Sequence, residues 1–163
     1  EGAPFAPLVH GHQEARRRGG TENVAAIAGF GVAAAADFTT ENETQRTLRD
    51  DFETALKKMA PNTVIFSDAV ARLGHVSNFA IPGLSAEAGL VALDLDGVAI
   101  SSGAACSSGR VSESHVLRAM KVEPGLARCG LRLSLGWSST REDIDAVLQS
   151  LSRLIARKAS LAA

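Results

Sequence analysis

Cys106 stands in the middle of the run SSGAACSSGR at 101–110, where almost every neighbour is Ser, Gly or Ala. A cysteine kept for packing is ordinarily set among bulky apolar side chains. A thiolate that must enter a site and then carry cargo away needs a tether of small, mobile residues. The same composition suits a small buried cysteine in a tight strand-to-helix connection, since free cysteines are among the most buried residue types. Arg110 and the helix start that follows are the local features favouring the thiolate. A second candidate is RRRGGTEN at 16–23. Its paired glycines let backbone N–H groups converge, Thr21 adds a hydroxyl, and the next helix presents its positive end, which together suit a phosphate. A basic loop closed by an ordinary Thr or Asn cap explains the same residues. Arg132 is the third candidate, on the alternating run LRLSLG at 131–136. A guanidinium on a rigid strand can grip a carboxylate through two parallel hydrogen bonds. By spacing alone, a solvent-facing strand residue is the simpler account. His10 and His12 have no apparent third ligand, so no metal site is expected. His115 reads as a helix-start residue and Cys129 as a buried thiol ahead of a strand.

The elements that must position these groups follow from periodicity. A small-residue helix is expected over 23–36, and DFTTENET reads as a polar break. An amphipathic helix is expected over 44–59, with Leu48, Phe52, Leu56 and Met59 on one face. TVIFSD, VSNFAI and VAIS read as strands, the last feeding into the cysteine run. SAEAGLVALDLDG reads as a helix capped by Ser85 and ended at Gly97. Ser112 or Ser114 can cap a short helix through Val116, Leu117 and Met120. In LRLSLG, Leu131, Leu133 and Leu135 share one face and Arg132 and Ser134 the other. The last helix opens on TRED, with Thr140 and Asp143 as a capping box, and turns Ile144, Val147, Leu148, Leu151 and Leu154 inward.

At 163 residues the chain has room for one domain, or one domain and part of another. The net charge of −1, without blocks of like charge, argues against a nucleic-acid or membrane-surface protein. The apolar run near 24–36 is interrupted by Gly29 and Gly31 and is too short to span a bilayer. With no export signal visible, two free thiols are expected and the chain reads as cytoplasmic. From about residue 40 onward the pattern is that of a small α/β domain, whereas the first forty residues offer a loop, a basic run and a helix without strands to cover.

Three motifs in order, QEARRRGGTENVAAIAGFG, SSGAACSSGRVSESHVL and LRLSLGWSSTREDID, resemble the C-terminal part of NifS/IscS-type cysteine desulfurases. These are pyridoxal-phosphate (PLP) enzymes of the class V aminotransferase family, and the resemblance covers nearly the whole chain. It implies an α/β fold: a small C-terminal domain at 39–163, a short sheet packed with helices, preceded at 1–38 by the helical tail of the large PLP-binding domain. It implies that Cys106 is the nucleophile that takes sulfur from L-cysteine as a persulfide, leaving alanine, for iron–sulfur cluster assembly or other sulfur transfer. The Ser/Gly-rich setting of Cys106 is similar to that of the long-loop desulfurases. Arg132 matches the arginine that anchors the substrate carboxylate. Thr21 matches the threonine that reaches the cofactor phosphate of the other protomer of a homodimer. A scaffold or another sulfur acceptor is the implied protein partner. Two departures stand out. HGHQE replaces a glycine-rich GGGQE, and none of Lys57, Lys58, Lys121 and Lys158 follows a histidine as the PLP-binding lysine does. The chain is therefore expected to be a C-terminal fragment with little turnover alone. Alternatives are a class V aminotransferase-like or selenocysteine lyase, and a non-catalytic dimerisation or acceptor-docking module.

Overall fold

Alternation at the two longest strand segments decides the architecture, because it gives each strand one apolar face to bury. The computed structural model describes residues 6–36, 38–102 and 114–161. Its strands are β1 (Val64–Ile65), β2 (Val76–Ala80), β3 (Ser101–Ser102) and β4 (Gly130–Ser134), joined in one antiparallel sheet of order β1-β2-β4-β3. The chain divides into two units, Glu1–Phe38 and Thr39–Ala163.

In the second unit, helices α3 (Thr39–Met59), α4 (Ala86–Leu95) and α7 (Arg141–Leu161) supply the apolar layer against one face of the sheet. Leu131, Leu133, Phe79 and Ile65 meet Phe52, Leu56, Leu93, Ile144, Val147 and Leu151 there, all of them buried. Phe52 and Phe79 pack edge to face with ring centroids 5.3 Å apart. Ser85 caps α4, accepting from the Ala88 N–H, and Gly97 beyond its end has φ +78°. The Thr140–Asp143 capping box opens α7: the Thr140 N–H donates to Asp143 Oδ2 at 2.9 Å and the Asp143 N–H returns to Thr140 Oγ1 at 3.4 Å. The Ser150 hydroxyl and Arg153 donate to Asp96 Oδ2, tying α7 to the end of α4 and holding that carboxyl below its ordinary value.

One expectation needs correction, and one short helix has no counterpart among the expected elements. The stretch read as a polar break is helical from Thr39, because the Thr44 and Thr47 hydroxyls donate back to the Thr40 and Glu43 carbonyls and so stay within the helix. A short helix α6 (Pro124–Ala127) follows α5 (His115–Ala119), with Glu123 accepting from the Leu126 N–H and Pro124 at its first turn.

The loop at 66–75 is fastened to α3 by charge. Arg72 donates to both oxygens of Glu53, at 2.6 and 2.7 Å, and Arg49 donates to the Leu73 carbonyl at 2.7 Å. Burial pushes the Glu53 carboxyl up, but the Arg72 hydrogen bonds and the nearby Arg49 charge outweigh it and hold the group below its ordinary 4.5. A depressed carboxyl stabilises the fold above that ordinary value, and the contribution is lost as pH falls through the folded-state value below it. Glu53→Gln is therefore expected to cost about 2 kcal/mol at neutral pH, less than for a fully buried pair. Urea denaturation should show the gap between the two proteins closing as the pH drops below 4.5.

The first unit holds α1 (Gln13–Arg16) and α2 (Val24–Ala35). Glu14, Ala15 and Arg16 all have positive φ, whereas His12, one of the histidines that depart from the glycine-rich pattern, keeps an ordinary right-handed φ of −95°. Among its described residues, α2 buries none and exposes Val24, Ile27, Phe30 and Val32. No described helix is long and apolar enough to cross a membrane.

Candidate functional site

The sheet face turned away from α3, α4 and α7 carries the candidate residue Arg132. At one end it is covered by a small cluster in which Leu117 of α5 packs with Phe66, Ala80, Ala127 and Cys129. Beyond that cluster Arg132 is exposed, and its strand register sets it opposite Asn78 of β2 on one side and Ser101 of β3 on the other. Arg132 has no hydrogen bond or ion pair among the described residues, so its planar fork of donors is uncommitted. A hollow of about 310 Å³, lined by Phe66, Ser67, Arg72, Leu73, Val76 and Asn78, opens on the β2 side.

Cys106 lies outside the described residues, as do Arg110 and Ser112, but both flanks of 103–113 are fixed. Before it, Ser102 is buried and paired with Leu131, one residue from Arg132. After it, Ser114 is buried and its hydroxyl caps α5 by accepting from the Leu117 N–H at 3.3 Å. The close approach of α5 requires Gly130: a Cβ there would lie 2.9 Å from Leu117 Cδ1 and 3.1 Å from the Ala127 carbonyl oxygen. Thus β4, which carries Arg132, also anchors the segment that carries Cys106, on one side by strand pairing and on the other by packing. The alternation of LRLSLG gave Arg132 its face, and the β3–β4 pairing adds its neighbour.

The other candidates separate cleanly. Cys129 is buried, its thiol 3.4 Å from the Gly125 carbonyl oxygen, and serves packing. His115 is exposed at the first position of α5. Among the described residues no three His, Cys, Asp or Glu side chains form a metal cluster. In the first unit, Arg18 is spent on its own loop, donating to the Gly20 carbonyl at 2.6 Å and to Glu22 at 3.0 Å. Asn23, not Thr21, caps α2 by accepting from the Ala26 N–H. Thr21 is exposed beside Gly20, whose φ is +92°, and its hydroxyl has no partner among the described residues.

Two neighbours of the candidate site escape sequence reasoning. Asn78 belongs beside Arg132 only once the β2–β4 register is known, and the Arg72–Glu53 pair joins residues 19 apart through a loop. A strand prediction for VSNFAI puts Asn78 on the polar face, which is the one signal available beforehand.

This sheet, its three covering helices and an arginine next to the root of a cysteine segment define a domain of the class V aminotransferases. The chain belongs to that family, whose model, Aminotransferase class-V, matches residues 8–147. Among its relatives, cysteine desulfurase NifS of Azotobacter vinelandii is 39% identical over 160 residues, covering 96% of this chain and 40% of the relative. Cysteine desulfurase IscS of Dictyoglomus turgidum is 38% identical over 159 residues, covering 95% of this chain and 40% of that protein. The solved structure of a NifS-like protein from Rickettsia africae superposes with a TM-score of 0.76 at 37% identity, over 93% of this chain and 40% of that one. The chain spans about two-fifths of the length of these relatives.

Proposed function

We propose that the protein carrying this chain is a PLP-dependent cysteine desulfurase, in which this chain supplies the substrate grip and the sulfur acceptor. The observation that carries the reading is the β3–β4 pairing, which sets an uncommitted Arg132 beside the root of the Cys106 segment. Arg132 binds the carboxylate of L-cysteine through two parallel charge-assisted bonds and so fixes where its thiol lies. The Cys106 thiolate attacks the substrate sulfur: the sulfur–sulfur bond forms as the substrate carbon–sulfur bond breaks. The electron pair stays with the substrate carbon, which takes up a proton and leaves as alanine. The outer sulfur of the Cys106 persulfide then passes to an acceptor thiol, on a scaffold for iron–sulfur clusters or another sulfur carrier.

PLP supplies, when bound, the electron sink that makes the substrate carbon–sulfur bond labile. The residues of this chain fit that group at its phosphate and not at its aldehyde. Thr21, with a free hydroxyl next to paired glycines, suits one phosphate contact, made across a homodimer to the other protomer. An amine that condenses with an aldehyde is activated by desolvation or a neighbouring cation. Here Lys57, Lys58, Lys121 and Lys158 are all exposed, with Lys57 bound to Asp68 and Lys158 to the Pro82 carbonyl.

The test has two arms. The chain alone, mixed with PLP and reduced with borohydride, is expected to carry no stoichiometric label on any lysine by peptide mass mapping. The full protein supplied with L-cysteine is expected to release alanine in step with transferred sulfur. Absence of alanine from the full protein overturns the desulfurase reading, and a stoichiometric lysine label on the chain overturns the account of PLP binding.

A further inference from the structure

The open sheet face contains one side chain whose state the fold leaves unexplained. Asn78 Oδ1 is buried and has no hydrogen-bond partner among the described residues. A buried amide oxygen without a donor forfeits the hydrogen bonds water would give it, and such atoms are rare in folded proteins. A donor must therefore reach it in some working state of the protein. Along β2, the side chains on the same face are Val76 and Ala80, which have no polar atoms. Phe66, whose backbone N–H donates to the Asn78 carbonyl, offers only a ring. Arg72 shares the hollow beside Asn78 and turns its fork on Glu53 with two of its five N–H donors, and the exposed Ser67 lines the same hollow without bonding Asn78. Across the strand stands Arg132, the direct register partner of Asn78. Directly opposed residues on one sheet face have Cβ atoms roughly 4.5–5.5 Å apart, well within the span of an arginine side chain.

We propose that Asn78 is a positioning residue for Arg132. Its Oδ1 accepts the Arg132 Nε–H, and the two terminal nitrogens of the fork are left pointing outward for a carboxylate. A neutral acceptor suits this role because it orients the guanidinium without cancelling its charge. An arginine with all five donors free samples many rotamers, and each carboxylate it binds must first order that side chain. Held at one nitrogen, it meets the substrate already turned. This inference rests on the reading of Arg132 as the carboxylate grip, and it adds the residue that aims it.

The kinetic test uses the full protein with Asn78→Ala, Arg132→Ala and the double variant. Asn78→Ala is expected to raise KM for L-cysteine about tenfold with kcat within about threefold, the signature of lost ground-state binding. In the Arg132→Ala background the same change should add nothing, because the two residues act as one unit. Asn78→Asp should raise KM further than Asn78→Ala, since its charge competes with the incoming carboxylate for the guanidinium. A KM for Asn78→Ala within about twofold of the parent, or full additivity with Arg132→Ala, overturns the proposal. A second readout is independent of turnover. In the ¹⁵N-labelled chain with excess L-alanine as carboxylate probe, solvent exchange of the Arg132 Nε–H should be about threefold slower in the parent and Asn78→Asp than in Asn78→Ala. Equal exchange in all three overturns it. If the full protein forms no alanine, the desulfurase reading fails and this exchange measurement alone decides the role of Asn78.

Discussion

Replacing Arg132 by alanine in the full protein is expected to lower kcat/KM for L-cysteine about 100- to 1,000-fold, most of it in KM. The reasoning starts from geometry. Arg132 is exposed on a strand paired on both sides, so its backbone is rigid, and no described residue competes for its donors. Two charge-assisted hydrogen bonds to a carboxylate contribute about 3–4 kcal/mol together, which corresponds to that range of rate. The loss falls on binding because the carboxylate stays ionised throughout the reaction and is held alike in ground and transition states. Arg132→Lys should recover only part of it. An ammonium restores the charge but not the parallel pair of bonds, and it has no Nε–H for Asn78 to hold. A substrate analogue lacking the carboxylate, cysteamine, should discriminate poorly between parent and Arg132→Ala. Steady-state kinetics with both compounds check this, and an unchanged KM for L-cysteine in Arg132→Ala removes the residue from the site.

Cys106→Ala is expected to abolish sulfur transfer by the full protein, with alanine release falling at least about 1,000-fold, because the receiving nucleophile is gone. Cys106→Ser should be nearly as inactive, since a hydroxyl at neutral pH is a far weaker nucleophile than a thiolate and cannot hold sulfur as a persulfide. The control is internal to the chain. Cys129 is 6% exposed and packs with Phe66, Ala80, Leu117 and Ala127, so Cys129→Ala should lower thermal stability while leaving turnover within about threefold. Alanine and sulfide assays, with mass spectrometry for a 32-Da adduct on the Cys106 peptide (about one sulfur atom, the persulfide state), separate the two thiols. Full alanine release by Cys106→Ala rules out the persulfide route.

The contrast between the two cysteines shows what can be read from residues alone. Neighbours of 106 are small, which left a mobile and a buried thiol both open there, whereas neighbours of 129 lead into a strand and the burial expected of Cys129 is observed. The helical faces were legible for the same reason: Leu48, Phe52 and Leu56, and Ile144, Val147 and Leu151, recur at helical spacing and line the core. Alternation placed Arg132 on the outer face of β4, while burial of Leu131 and Leu133 fixed the opposite side. Lengths were less visible. TVIFSD and VAIS have strand composition, yet β1 covers only Val64–Ile65 and VAIS contributes only Ser101 to the described β3, although the partner strands β2 and β4 are each five residues long. What remained hidden was everything set by register or by a loop returning to a helix. Asn78 is an unremarkable residue until β2 is laid against β4, and Glu53 looks like one more solvent-facing charge until Arg72 arrives from the 66–75 loop. The role proposed for Thr21 comes only through family resemblance, since the helix that follows is capped by Asn23.

The two-residue strands have a consequence for how this unit meets other chains. In the order β1-β2-β4-β3 they are the two outer strands, each two residues long among the described residues. A foreign strand needs a longer row of unpaired N–H and C=O groups to add on, and short borders are one way proteins resist edge-to-edge aggregation. Under the proposed function, a sulfur acceptor is expected to dock on side chains and loop surfaces and not by extending the sheet. A complex of that kind would part without peeling apart a shared ladder of backbone hydrogen bonds, which suits the transient contact the proposed sulfur transfer needs.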